Sequence, residues 1–299
     1  MIDKLEMFIA LAKERHFGHA AEACGVTQPT LSSAIKLLEE QLGVQLVFRG
    51  SRFQGLTPEG QRVLDRALRI VGDMRALKDE MRAVRSGLSG TLRIGVIPTA
   101  LPMVADLTGP FTARHPNVRV VITSCTSVEI LAGIDSLDLD AGITYLDNEP
   151  LGRVTQVPLY AEFYRLLCAP GSALAGRAQV TWAEVADEAL CLLTADMQNR
   201  RIINQHLAGA GVSVMPTVES NSTIALIAHV QTGRWATIVP MRLAQLFTSD
   251  GRLCAIPIVE PEAEHLVGLI APRRDPQTPV LGALIGEAGR LAAQSPRQP

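Results

Sequence analysis

Between Ala20 and Leu42 the apolar positions change spacing in a way that predicts two short helices around a tight turn. Ala20 and Ala21 are small enough for one helix to cross another closely, Gly25 breaks the first helix, and Val26 supplies an apolar plug. Thr27 then offers a capping oxygen, with Pro29 in the first turn, where its missing N–H costs nothing. Leu31, Ile35, Leu38 and Leu42 recur at helical spacing and predict the buried face of a second helix. Its other face carries Gln28, Thr30, Ser32, Ser33 and Lys36, hydrogen-bonding side chains suited to base edges and phosphate oxygens. Such a helix-turn-helix can place its second helix in a DNA major groove. Val44 to Phe48 and Phe53 to Leu56 then predict two strands of a wing. At its tip, in Arg49-Gly50-Ser51-Arg52, Arg49 and Arg52 can straddle a phosphate backbone.

A longer periodicity follows. From Thr57-Pro58 no breaker occurs until about Ser86, and Gly60, Val63, Ala67, Ile70, Met74, Leu77, Met81 and Val84 alternate in steps of three and four. That heptad seam predicts a single helix ~43 Å long that needs a partner. We expect Val63, Ala67, Ile70, Met74, Leu77 and Met81 to meet a second copy, because a two-fold DNA site needs two recognition helices one helical turn apart.

After a hinge in Ser86-Gly87-Leu88-Ser89-Gly90 the pattern switches to strands alternating with helices. Strands are expected at Leu92 to Ile97, Val118 to Thr123 and Ala141 to Thr144, with helices at Thr99 to His115 and Val128 to Ser136. The β-α-β-α-β order predicts a parallel, doubly wound sheet. A second such unit opens near Glu162, with strands at 164–168, 190–193, 215–219 and 236–239 and helices at 182–187, 199–210 and 222–231. The chain then returns through a strand at 265–270 to a closing helix at 280–294. The expected fold class is therefore α/β, with domains at 1–58 (DNA-binding), 59–86 (linker helix), 87–91 (hinge) and 92–295. The last would have lobe I at about 92–161 and 268–295 and lobe II at about 162–267.

Composition adds limits. At 299 residues and 47% hydrophobic, the chain can build two or three cores. No apolar run approaches the ~20 residues needed to cross a bilayer, and no signal peptide is evident, so a soluble, cytoplasmic protein without a membrane partner is expected. Net charge is −2, but residues 1–90 hold 13 Lys/Arg against 11 Asp/Glu while residues 91–299 hold 15 against 19, so the basic bias sits with the helix-turn-helix. The cysteines Cys24, Cys125, Cys168, Cys191 and Cys254 are too scattered in sequence to suggest a metal clip or redox pair. Cys168 and Cys191 read as buried strand residues. His115, His206, His229 and His265 are isolated, and no nucleophile turn, phosphate loop or zinc pair is present, so neither an enzyme nor a metal or organic cofactor is expected.

These residues resemble the winged helix-turn-helix of LysR-type transcriptional regulators. The resemblance rests on Phe8 with Ala20-Ala21, Val26-Thr27-Gln28-Pro29, Leu31-Ser32, Ile35, Leu38-Glu39, Leu42-Gly43, Leu46, Arg49, Leu56-Thr57 and Gly60. Chain length and layout extend it over all 299 residues. His16 departs from the family's small hydroxyl residue and Ser33 from a larger one, changes expected to touch DNA contacts rather than the fold. The resemblance implies a winged helix-turn-helix, a dimerising linker helix and a two-lobed effector domain like that of periplasmic binding proteins. It also implies a promoter DNA partner, a dimer or tetramer, and contact with RNA polymerase.

In open α/β sheets ligands bind beyond the carboxyl ends of strands, at helix N-termini. Four turns qualify: Pro98-Thr99-Ala100-Leu101, Thr126-Ser127, Gln198-Asn199-Arg200-Arg201 and Asn221-Ser222-Thr223. Tyr145, Asp147 and Asn148 can border the same cleft. The candidate effector residues are Thr99, Ala100, Thr126, Ser127, Tyr145, Gln198, Asn199, Arg200, Asn221 and Ser222, with Arg200 or Arg201 as counter-charge for a small anion. The segments TYLDNEPLGRV and TADMQNRRII are similar to regulators associated with formate dehydrogenase operons, which implies formate or another very small carboxylate. Two other readings compete: a redox-switched regulator using Cys191, although the third turn lacks the cysteine that peroxide-sensing relatives need, and a solute-binding protein without a regulatory role.

Overall fold

The computed structural model describes residues 1–48, 53–249, 251–274 and 276–294, and it divides into two compact units, Met1–Arg85 and Ser86–Pro299. In the first unit α1 (Ile2–Glu14), α2 (Phe17–Ala23) and α3 (Gln28–Leu42) pack on one another. Their core is Leu5, Phe8, Leu11, Ala20, Ala21, Leu31, Ala34, Ile35 and Leu38. Leu42, expected on the buried face, is instead 40% exposed, because α3 outruns the core it covers before its left-handed C-cap at Gly43. Among the described residues an antiparallel bridge, Val47 to Leu56, begins the wing. Arg49 and Arg52 lie outside the described residues.

Helix α4 (Pro58–Ser86) is held to the wing at its start. Thr57 Oγ1 donates to the Gln45 carbonyl (2.6 Å) and accepts from Gly60 N–H (2.9 Å). Gly60 sits so close to Leu46 that a Cβ would lie 2.0 Å from its carbonyl oxygen. The expected seam is corrected at one position. Ala67 is buried within the chain beside Val71, on the face that lines a shallow hollow with Leu5 and Leu38. Ile70, Leu77, Met81 and Val84 are exposed, and Val63 and Met74 are half-buried.

The second unit runs β1 (Gly90–Val96), a 3-10 helix (Pro98–Met103), α5 (Val104–Arg114), β2 (Val118–Ser124), α6 (Ser127–Asp135), β3 (Ala141–Tyr145) and β4 (Val154–Cys168). It continues through β5 (Val180–Thr181), α7 (Trp182–Val185), β6 (Cys191–Leu193), α8 (Gln198–Gly209), β7 (Val218–Ser220) and α9 (Thr223–Gln231). It ends with β8 (Thr237–Pro240), α10 (Met241–Thr248), β9 (Cys254–Val259), β10 (Glu264–Pro272) and α11 (Pro279–Gln294). The strands β5 and β9 and the helix α10 were not expected from the sequence, and Gly90 and Thr91, read as hinge, already belong to β1.

The sheet is mixed rather than parallel. Within the described residues the order is β2-β1-β3-β10-β4-β9-β5, with β8 also on β4. Strands β1, β2 and β3 are parallel, as βαβ crossovers demand, but β10 runs antiparallel to β3 and β4, and β4 runs antiparallel to β8 and β9. The cause is the length of the two crossing strands. β4 spans 15 residues, so the lobe boundary expected at 161/162 falls inside one continuous strand, and the boundary at 267/268 falls inside β10. In this unit β6 pairs with β7 in a small parallel sheet, joined to β8 by a bridge from Leu190 to Ala236.

Candidate functional site

On α3 the whole predicted contact face is open. Thr27, Gln28, Pro29, Thr30, Ser32, Ser33 and Lys36 are exposed, while Leu31, Ala34, Ile35 and Leu38 beneath them are buried. Thr27 caps the helix through Thr30 N–H (3.4 Å) and shares a hydroxyl contact with Thr30 (2.9 Å), so both side chains are fixed at the helix start. Lys36 lies 3.9 Å from Glu40 with both side chains largely exposed, a pair too solvated to hold it back from a phosphate. Two supporting residues have roles that periodicity could not reveal. Glu39 Oε1 accepts from Leu46 N–H (2.7 Å) and Val47 N–H (3.2 Å), fastening α3 to the wing. His16 Nδ1 accepts from Gly18 and His19 N–H (3.2 and 3.3 Å), so it caps α2 as a small hydroxyl residue would. The departure at His16 therefore serves the fold, contrary to expectation.

In the second unit a cavity of about 460 Å³ lies at the N-termini of α6 and α9. Its walls include Pro98, Thr126, Asn221 and Ser222 from the predicted turns. They also include Leu101, Ser124, Cys125, Glu129, Asp196, Met197, Thr223 and Ile224, most of which the sequence reading did not single out. Ser124 is the carboxyl end of β2 and Cys125 follows it, so the rule that placed Thr126 could have reached them. Thr126 and Glu129 form a reciprocal cap, Glu129 N–H to Thr126 Oγ1 (3.1 Å) and Thr126 N–H to Glu129 Oε2 (2.8 Å). Ser222 Oγ accepts from Ala225 N–H (3.4 Å). Both helices begin at the cavity wall, so the positive dipole ends of α6 and α9 lie beside this space, while the Thr126–Glu129 cap occupies the N–H groups of those two residues.

The other predicted residues go elsewhere. Thr99, Ala100 and Ser127 are buried and do not line the cavity. Thr99 Oγ1 and Gln198 Nε2 have no hydrogen-bond partner among the described residues, and Gln198 Oε1 accepts from Thr144 (3.3 Å). Asn199 Nδ2 donates to Tyr145 OH (2.9 Å), which in turn donates to Glu162 Oε2 (2.5 Å), with Tyr164 OH 3.4 Å away. Asn199 and Tyr145 are thus members of a buried network. Burial pushes the Glu162 carboxyl up from 4.5 to about 8, a rise the Tyr145 hydrogen bond opposes.

Neither arginine is free to be a counter-charge. Arg200, buried, donates to Leu193 O (2.7 Å), Glu219 Oε1 (2.6 Å) and Asn204 Oδ1 (2.9 Å). Arg201 grips both oxygens of Glu149 (2.6 and 2.9 Å) and reaches Asp196 O (2.6 Å) and Ser127 Oγ (3.4 Å), tying α8 to the segments after β2 and β3. Both were expected at the cleft because they open a helix, yet a long side chain finds the nearest carboxylate wherever it lies.

The histidines are not all isolated. His206 and His265 approach to 3.0 Å, His265 Nδ1 lies 3.2 Å from Asp147, and His206 stacks on Trp182. Cys191 is fully buried in β6, its Sγ near the Leu226 and Ala236 carbonyls, and burial raises its thiol to about 11. A thiol so seldom ionised is a poor nucleophile, which weighs against the redox reading at that residue. Among the described residues no cluster of His, Cys, Asp and Glu could hold a metal, and no helix is long and apolar enough to cross a membrane.

Comparison with known proteins agrees with both units. Residues 2–61 match the bacterial regulatory helix-turn-helix protein family of lysR type, and residues 85–293 match the LysR substrate binding domain. A probable hydrogen peroxide-inducible genes activator of Mycobacterium avium is 31% identical, covering 95% of this chain and 92% of the relative. The DNA-binding transcriptional dual regulator OxyR of Escherichia coli K12 is 30% identical over 90% and 88%. A full-length OxyR cysteine variant from Pseudomonas aeruginosa superposes with a TM-score of 0.75 at 22% identity, covering 97% of each chain. Full-length CbnR complexed with its target DNA gives 0.62 at 22%, over 98% and 100%. None of these relatives bears on formate. With both of its units matched, the chain belongs to the LysR family of DNA-binding transcriptional regulators.

Proposed function

We propose that this regulator is gated by a small organic molecule carrying one carboxylate, seated in the cavity between the N-termini of α6 and α9. The observation that carries this reading is the composition of the cavity wall. Thr126, Asn221, Ser222 and Thr223 supply hydroxyl and amide groups around two helix N-termini, with Pro98, Leu101, Met197 and Ile224 as apolar surface. The anion is held by helix dipoles and hydrogen bonds, because Arg200 and Arg201 are already engaged with Glu219 and Glu149. Glu129 and Asp196 on the same wall disfavour a second negative charge. The size argues for a ligand larger than formate, which would leave most of the 460 Å³ to water.

Ligand binding at this cavity favours one arrangement of the lobes over another, and that difference in affinity is all that control of DNA binding requires. The exposed Ile70, Leu77, Met81 and Val84 support a chain that pairs through α4 and presents two copies of α3 to a two-fold promoter site, where RNA polymerase is then engaged or excluded. The peroxide-linked names of the relatives favour a second, redox reading, but the buried Cys191 thiol does not support it at that residue.

A thermal-shift screen of the full chain against formate, monocarboxylates, dicarboxylates and amino acids tests the cavity reading. The expected result is a rise in Tm with a monocarboxylate larger than formate, absent in Asn221→Leu. A response that survives both Asn221→Leu and Thr126→Val would place the ligand elsewhere, and no response from any acid would overturn the carboxylate.

A further inference from the structure

The cysteines are distant in sequence, but the pairing of β4 with β9 sets Cys168 directly opposite Cys254. Directly opposed residues of an antiparallel pair send their side chains to the same face, with Cα atoms about 4.5–5.5 Å apart, inside the ~4.4–6.8 Å that a disulfide spans. Both thiols are free in the structure. They differ in access, Cys168 being fully buried and Cys254 half-buried. Burial pushes the Cys168 thiol up, a hydrogen bond with Ser172 opposes that, and the neighbouring Cys254 raises it further, as expected of two sulfurs that sense each other. Cys24, Cys125 and Cys191 lie on other parts of the chain, at the end of α2, after β2 and in β6.

We infer that Cys168 and Cys254 form a dithiol site that hydrogen peroxide closes to an intramolecular disulfide. The more accessible thiol, the half-buried Cys254, reacts first. Cys254 gives up its proton, its sulfur attacks one peroxide oxygen, the O–O bond breaks, and the released hydroxide takes that proton and leaves as water. Cys254 is then a sulfenic acid. The Cys168 sulfur attacks the Cys254 sulfur, the S–O bond breaks, and the departing hydroxide leaves as a second water with the Cys168 proton. Two electrons pass from the thiol pair to one peroxide.

The bond would close a covalent loop around residues 169–253. That loop contains β6, α8, β7 and α9, and with them Asp196, Met197, Asn221 and Ser222 of the cavity wall. The site is independent of the carboxylate reading, since neither sulfur needs the cavity to be occupied.

The test uses the full-length reduced protein, treated with one equivalent of hydrogen peroxide, alkylated and mapped by mass spectrometry. The expected result is the joint loss of two of the five thiols, a Cys168–Cys254 linked peptide, an intact mass lower by about 2 Da and full reversal by dithiothreitol. In Cys168→Ser the reaction should stop at a Cys254 sulfenic acid that dimedone captures. Oxidation confined to Cys24 or Cys125, links between two chains only, or a wild-type Cys254 that proceeds to the sulfinic acid without a link would each overturn the inference. The mapping of the wild-type protein decides the matter even if a variant does not fold.

Discussion

On α3 the outward polar residues are engaged only by the cap at the helix start and a solvated Lys36–Glu40 pair, whereas the polar residues that open helices in the second unit are divided between a cavity and a core. Ser32, Ser33 and Lys36 stay exposed because Leu31, Ile35 and Leu38 on the opposite face satisfy the packing of the helix. In the second unit Thr126, Asn221 and Ser222 reach the cavity, while Gln198, Asn199 and Arg200 turn inward to Thr144, Tyr145 and Glu219. A helix on a surface has one buried side, so its function can be read by subtraction. A helix between strands of two lobes is packed on several sides, and a polar residue at its N-terminus has several places to go.

Substitutions can sharpen that contrast. The largest stability effect is expected at the joint that fixes the wing. Gly60→Ala pushes a methyl group against the Leu46 carbonyl and should cost about 2–3 kcal/mol of the first unit's stability, seen as a lower urea midpoint with the second unit's transition unchanged. An unaffected midpoint would mean that α4 starts elsewhere.

Arg200→Met and Asn221→Leu then separate core from cavity. The first removes a buried guanidinium and leaves the Leu193 carbonyl unpaired, a loss of about 2 kcal/mol measured by calorimetry. The second alters an exposed wall residue and should change Tm little, an effect of about 0.5 kcal/mol or less, while abolishing the ligand response. Equal destabilisation by the two would erase the distinction between them.

The smallest effect is a slope. Glu162 binds its proton more tightly in the folded chain than when unfolded, so its contribution is fully present below about 4.5 and is lost as pH rises through about 8. His206, whose imidazole is lowered by burial and by His265, contributes in the opposite sense, losing stability as pH falls below its ordinary value. Glu162→Gln should therefore flatten the decline in urea midpoint on the alkaline side while leaving the acid side as it was. Identical profiles would contradict the buried, protonated carboxyl.

What the sequence made legible follows the same division. Periodicity and caps marked α2, α3, α4 and most of the parallel strands, because those signals are local, whereas α1 was not read from the sequence. The antiparallel half of the sheet was not visible, since the 15 residues of β4 and the return through β10 obey no local rule that tells a long crossing strand from a short one followed by a loop. The contact of His206 on α8 with His265 on β10 and the register of Cys168 with Cys254 were hidden as well, the first made by tertiary packing and the second by strand order. Ala67 was misread because heptad spacing does not say which apolar face of a helix its own chain will cover first.

The most direct test of the account is selection of DNA fragments by the full chain from a random pool, followed by affinity measurement with wild type and with the double variant Ser32→Glu, Ser33→Glu. Enriched DNA should carry two half-sites related by a two-fold axis about one helical turn apart, and the variant should bind it about 100-fold more weakly with an unchanged Tm. Enrichment without two-fold symmetry, or a variant that binds as wild type does, would contradict the assignment of α3 as the element that reads DNA.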